Sequence, residues 1–360
     1  MLKRRAKYCL RLFLLIILLL VLCENYLCIG RGRYPGIKLS SLKRQDLCCK
    51  SPAEQVCCWI EQSCSVKSWE TENVLETADD LGKRPTPYVM NPRKKILAVG
   101  CSYTFGIGVK DHETYLWRAG EKWRDVRIDN FADPGYGTVQ CRARLEVLLK
   151  NSIALDEAKR SYYGSEFPVH YDMIFYGLIG DHLKRNGYLR WNVDSDNNFV
   201  LFPRAENSQD GVLYHGSETI WWPGDNLFRT AVCFRNLYLR FLERKFNADI
   251  DWLHLDKMTT GQRNNPQIKE RLELFNGVLS EMLELSHNYG AEFYVLHLDG
   301  NMDNLIDPAL KNRGLHSVDI SFPFIGKDEY YVLPHCAGHP IAIVHKEWSE
   351  NLVKQMKGII

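Results

Sequence analysis

Two residues of this 360-residue chain have the type and setting for nucleophilic acyl transfer: Ser102 in KILAVGCSYTFGIGV and His339 in CAGHPIAIVHKEWSENL. A serine hydroxyl attacks a carbonyl when a base takes its proton, and imidazole titrates in the range that suits that task. Ser102 follows the short, apolar, partly β-branched run Ile96 to Val99 and Gly100, with Gly106 and Gly108 beyond it. A strand that stops at Gly100 and turns sharply leaves the serine at its carboxyl end, where open α/β sheets bind ligands. The same residues also read as a polar turn between strand and helix, since short Gly/Ser motifs are weak signals alone. His339 precedes Pro340, a residue favoured in first helical turns, so it is expected where the last helix begins.

The elements that would position these residues alternate along the chain. After Ser102 come a helix over about 113–123, a strand over 126–131, the turn ADPGYGT, a helix over 138–150 and a buried strand over 172–179. Helices near 229–246 and 266–289, a strand over 291–297 and a last helix over 340–357 complete the pattern, which is that of a doubly wound, mostly parallel α/β sheet. Between 187 and 226 the pattern changes: YLRWNV, a DSDNN turn and NFVLF read as a hairpin, followed by Trp221 and Trp222. This insertion is expected beside the strand ends, where its tryptophans either stack on sugar rings or pack it onto the body. Residues 31–92 read as a cysteine-rich region and a breaker-rich linker, so the folded domain is expected over 93–360.

Three stretches in order resemble the motifs of the SGNH (GDSL-type) hydrolase family, over roughly 95–355. GCSYTFGIGV resembles the family's first motif, which places the nucleophile on Ser102. NFADPGYGT resembles the second, whose glycine amide lines the oxyanion hole, and points to Gly135. HPIAIVHKEW resembles the last, which makes His339 the base. The resemblance implies a flavodoxin-like fold, an ester hydrolase acting on a glycan or lipid acyl ester, and no cofactor or metal. A polysaccharide O-acyltransferase and a catalytically weakened binding module are the alternatives. Two departures stand out. The family's third motif carries an oxyanion asparagine, whereas here the strand runs into GLIGDHLKR, placing Gly180 or Asp181 there and His182 beside it as another N–H donor. Asp181, His182 and Arg185 read equally as a structural ion-pair cluster. The acid that orients the histidine is replaced by Cys336 and Ala337, leaving Asp181, Asp319 and Asp328 as alternatives.

A hydrophobic content of 45% with 25% charged residues is that of a globular protein, and a formal net charge of +2 gives no global case for nucleic acid. Residues 1–30 differ from the rest. Lys3, Arg4, Arg5, Lys7 and Arg11 precede the apolar run Leu12 to Cys23, and Tyr8 to Ile29 is long enough for a membrane anchor once Arg11 snorkels. Small residues of the A-x-A kind are missing, so an uncleaved single-pass anchor with an exported domain is expected. Eight of the twelve cysteines, Cys9, Cys23, Cys28, Cys48, Cys49, Cys57, Cys58 and Cys64, lie in the first 64 residues. Their CCKSPAEQVCCWIEQSC cluster lacks C-x-x-C pairs, which favours disulfides over a metal site, with acylation an option if the region faces a cytoplasm.

Overall fold

The computed structural model describes residues 68–71, 74–77, 83–154, 170–186, 191–193, 199–201, 204–209, 211–215, 218–220, 265–325, 327–331 and 339–360. The expected anchor, the cysteine cluster, Trp221 and Trp222 and the helix over 229–246 lie outside these residues. Among the described residues no helix is long and apolar enough to cross a membrane.

The chain divides into two compact units. In order, its described elements begin with the antiparallel strands β1 (Ser68–Thr71) and β2 (Val74–Thr77). They continue with β3 (Lys94–Val99), α1 (Ser102–Phe105), α2 (Tyr115–Lys122), β4 (Val126–Asn130), α3 (Thr138–Ala154), β5 (Met173–Leu178) and α4 (Asp181–Asn186). Next come β6 (Trp191–Val193), β7 (Phe199–Leu201), β8 (Arg204–Ser208), β9 (Gly211–His215) and β10 (Glu218–Ile220). The last are α5 (Pro266–Asn288), β11 (Glu292–His297), α6 (Pro308–Asn312), β12 (Leu315–Asp319) and α7 (Ala342–Gln355). One unit holds β6, β7 and β10 in an antiparallel sheet, with Trp191 opposite Leu201 and Val193 opposite Phe199, so the hairpin expected there forms. The β8–β9 hairpin, inside the stretch expected to be one insertion, belongs to the other unit and packs on α5 through Ala205, Leu274 and Val278.

That larger unit is built on five strands in the order β12-β11-β5-β3-β4, every neighbouring pair parallel. Numbered among themselves, these strands run 2-1-3-4-5, the flavodoxin-like order. The inner strand β3 has Ile96, Leu97, Ala98 and Val99 all fully buried, and the central strand β5 is buried along its whole length. Burial on both faces is why both read as unbroken apolar runs instead of alternating ones. Each large aliphatic side chain so buried contributes about 1.5–3 kcal/mol, which makes the strand before Ser102 a rigid base. The helices form two packed groups, α2 with α7 and α3 with α4 and α5, as a doubly wound sheet requires.

Three boundaries differ from expectation. Ordered packing begins before Arg93: Arg84 is fully buried, its amide donates to the Asn130 carbonyl, and its guanidinium reaches Asp111 and the Val109 carbonyl. Proline-rich composition marks a lack of regular structure, not a lack of burial. The helix after Ser102 starts at Tyr115 because the Thr114 hydroxyl caps it, accepting from the Trp117 amide at 3.3 Å. The fifth strand, β12, has only its first residue buried, so its LHSVD carries no apolar run to announce an edge strand.

Candidate active site

The order of connection switches at β3, which has β4 on one side and β5 on the other, and open α/β sheets bind ligands in the crevice outside the strands' carboxyl ends at such a switch point. Ser102 stands directly beyond β3, 5% exposed, as the first residue of the one-turn helix α1. Gly106 closes that turn at φ +90°, its amide donating to the Ser102 carbonyl at 2.8 Å. A left-handed residue is cheap only as glycine, so a single residue ends the turn and leaves the serine at the strand's mouth. The buried Thr104 presses against both flanking strands. A Cβ on Gly100 would lie 2.3 Å from its Oγ1, and one on Gly177 in β5 only 2.0 Å.

The second loop of the crevice follows β4. Asn130, fully buried, donates from Nδ2 to the Thr104 carbonyl at 3.0 Å and accepts from the Ala132 amide at 3.1 Å. One amide side chain thus ties the serine's turn to the loop of Gly135. The Asp133 amide adds a bond to the Gly100 carbonyl at 3.0 Å. Gly135 itself has φ +84° and no atom within 4 Å of where a Cβ would stand, so backbone conformation and not crowding calls for glycine here.

His339 is half-buried, and its ring centroid is 6.1 Å from that of Tyr103, the residue after Ser102, in an edge-on arrangement. Tyr103 in turn stacks on Trp348 of α7 at 6.0 Å and touches Phe324 at 6.1 Å. The histidine is therefore brought beside the serine's turn by an aromatic cluster that α7 anchors. It does not stand at the helix start, because α7 begins at Ala342: Ile341 is an extended N-cap whose amide donates to the Tyr330 carbonyl, and Pro340 forms an isolated bridge with Tyr331. His345, lower on α7, is fully buried, accepts from the Tyr115 amide at 3.3 Å and packs against Trp348. Burial, aided by the Arg84 and Arg118 charges, pushes its pKa down to about 3, and it plays no part in the crevice.

The stretch after β5 is arranged unlike either use expected of it at the oxyanion. Asp181 Oδ2 is held by Arg185, at 2.7 Å from Nε and 2.5 Å from Nη2, so it is not placed as a hydrogen-bond donor. His182, the next residue of the short helix, is fully buried. Its Nδ1 lies 2.7 Å from the Tyr176 hydroxyl, which donates to Thr138 Oγ1 at 2.9 Å. Burial, with the Arg185 charge nearby, holds its pKa well below the usual value, so it is a neutral ring serving the joint between β5 and α3. Consecutive residues on a helix face different ways, which is why Asp181 and His182 do not act together.

Among the acids proposed to orient His339, Asp319 accepts from the amide and hydroxyl of Ser321, and Asp181 is engaged by Arg185. A further acid stands at this end of the sheet. Asp299, just beyond β11, accepts from the Gly180 amide at 3.0 Å, and its charge is felt at Tyr103 and Cys101 on either side of Ser102. The available signal was an aspartate two residues after the buried strand EFYVLH, at the end of the sheet where sites form.

No family model and no curated protein matches this chain. Solved structures similar to it include esterase EstA from a Pseudoalteromonas species, 10% identical, with a TM-score of 0.36 over 73% of this chain and 97% of that one. A member of the lipolytic G-D-S-L family from Veillonella parvula is 11% identical, with a TM-score of 0.33 over 73% and 98% of the two chains. An acetylxylan esterase from Geobacillus stearothermophilus is 10% identical, with a TM-score of 0.34 over 75% and 96%. At TM-scores below 0.5 these likenesses decide nothing about the crevice, and the fold rests on the strand order itself.

Proposed function

We propose that this protein is a serine-dependent carboxylic ester hydrolase of the SGNH type, with Ser102 as nucleophile and His339 as base. The observation that carries the reading is the placement of Ser102 at the mouth of the inner strand β3, on a one-turn helix, with the His339 ring resting against Tyr103. In this mechanism Ser102 Oγ attacks the ester carbonyl and His339 takes its proton. The amides of Ser102 and Gly135 hold the oxyanion; its collapse breaks the ester C–O bond and expels the alcohol, which takes the proton from His339. Water deprotonated by His339 then hydrolyses the acyl-enzyme to the free acid and restores Ser102. With Gly180 or Asp181 where the family has its asparagine, one oxyanion donor is missing, which costs about 10²–10³ in rate unless another group compensates. An acyl ester of a glycan or lipid is the proposed substrate, and a membrane-anchored, exported domain the proposed setting, both supported by the basic and apolar character of residues 1–30.

A fluorophosphonate probe tests the nucleophile. Wild-type chain is expected to be labelled and to hydrolyse an aryl acetate, and Ser102→Ala to lose both while keeping its circular dichroism and unfolding midpoint. Absence of labelling in folded wild-type protein removes the enzyme reading. Product analysis with a sugar acceptor present then separates hydrolysis from acyl transfer.

A further inference from the structure

Arg185 of α4 makes contacts along the loop that carries Gly135. Its side chain is only 15% exposed. Nε and Nη2 are paired with Asp181, and Nη1 donates to the carbonyl of Tyr136, the residue after Gly135, at 2.6 Å. A Cβ on Gly137 would lie 2.6 Å from Arg185 Cβ, so the loop and the arginine are in direct contact over more than one residue. The guanidinium charge also reaches the serine's turn, where it opposes the rise that burial imposes on the Cys101 thiol.

We infer that Arg185 is a positioning residue: it clamps the Gly135–Gly137 loop beside the Ser102 turn, with Asp181 orienting the guanidinium. The inference rests on the Ser102 reading above. A crevice short of one oxyanion donor depends the more on the exact placement of the loop that carries the remaining one. Arginine suits the task where lysine does not, since a planar fork can hold a carboxylate and a carbonyl together.

The test uses the full-length chain, an aryl acetate substrate and methylboronic acid as a tetrahedral mimic. Arg185→Gln is expected to lower kcat by about 10–100-fold, the size of effect that a misplaced catalytic loop produces, with KM nearly unchanged. Boronate affinity is expected to fall in step with kcat/KM, and Arg185→Lys to recover part of the loss. A residue that merely supported the fold would lower the unfolding midpoint and leave boronate affinity untouched, and that result overturns the inference. If Arg185→Gln does not fold, Asp181→Asn is read in the same way: parallel losses support the clamp, and unchanged kcat and affinity overturn it. Ser102→Ala separates the two levels. If it keeps turnover, the nucleophile reading has failed; if it abolishes turnover while the Arg185 and Asp181 variants behave as wild type, only the clamp has.

Discussion

Asn130 joins the two loops on which the chemistry depends, and it does so with a single side-chain amide. Its replacement by alanine leaves the Thr104 carbonyl and the Ala132 amide without their partner in a buried place. Such losses cost about 1–3 kcal/mol, so Asn130→Ala is expected to lower stability by that amount in urea unfolding. Turnover of an aryl acetate is expected to fall further than stability alone explains, because the turn of Ser102 loses its tie to the loop of Gly135. Asn130→Asp keeps an acceptor for Ala132 but loses the donor, so it isolates the Thr104 bond. Arg185 works at the same scale from the other side of the loop, through the Tyr136 carbonyl.

At the scale of elements, the decisive contact is between the turn α1 and the strand β5. Thr104 occupies room that Gly100 and Gly177 leave open, and the absence of a side chain in the middle of a buried strand is what lets the serine's turn sit so close to the sheet. Gly177→Ala would place a methyl group 2.0 Å from Thr104 Oγ1 and 3.3 Å from Leu298 Cδ1. Overpacking of this kind costs about 1–3 kcal/mol, and the turn must move to relieve it. The expected result is reduced stability together with weaker fluorophosphonate labelling of Ser102. Thr104→Ala in the same chain should restore part of both, giving a non-additive double-mutant cycle. Additive effects in that cycle would show that the two positions do not meet. The aromatic contacts among Tyr103, Phe324 and Trp348 do the corresponding work for His339, since they bind the end of the chain to α1.

For the molecule as a whole, three buried histidines set an expectation for pH. Burial pushes His345 down to about 3 and His297 to about 4, and holds His182 well below its usual value. A pKa lower in the folded than in the unfolded chain means that the unfolded chain takes up the proton first as pH falls. The stability tied to the neutral rings is thus complete above about pH 6.5 and is lost towards the folded values of about 4 and 3. Urea unfolding between pH 7 and 4.5 should show a steadily falling midpoint. His345→Gln should flatten the slope by about one proton, or roughly 1.4 kcal/mol per pH unit. An unchanged slope would mean that His345 titrates alike in both states. The reach of the sequence follows from what is local. Ile96 to Val99 and DMIFYGLI announced β3 and β5 because strands buried on both faces must be apolar throughout, and Gly100, Ser102 and Gly106 announced the turn between strand and helix. Strand order, the burial of Arg84 and the edge strand β12 had no such local mark, because pairing and burial depend on partners far along the chain. The same holds for the crevice. Residue types and their settings singled out Ser102 and His339, and the resemblance of NFADPGYGT to a family motif pointed to Gly135. Only the tertiary structure decided that Asp181 goes to Arg185, that His182 turns to Tyr176 and that Asp299 faces Gly180, since a helix's direction and its neighbours decide which of two adjacent side chains meets the cleft.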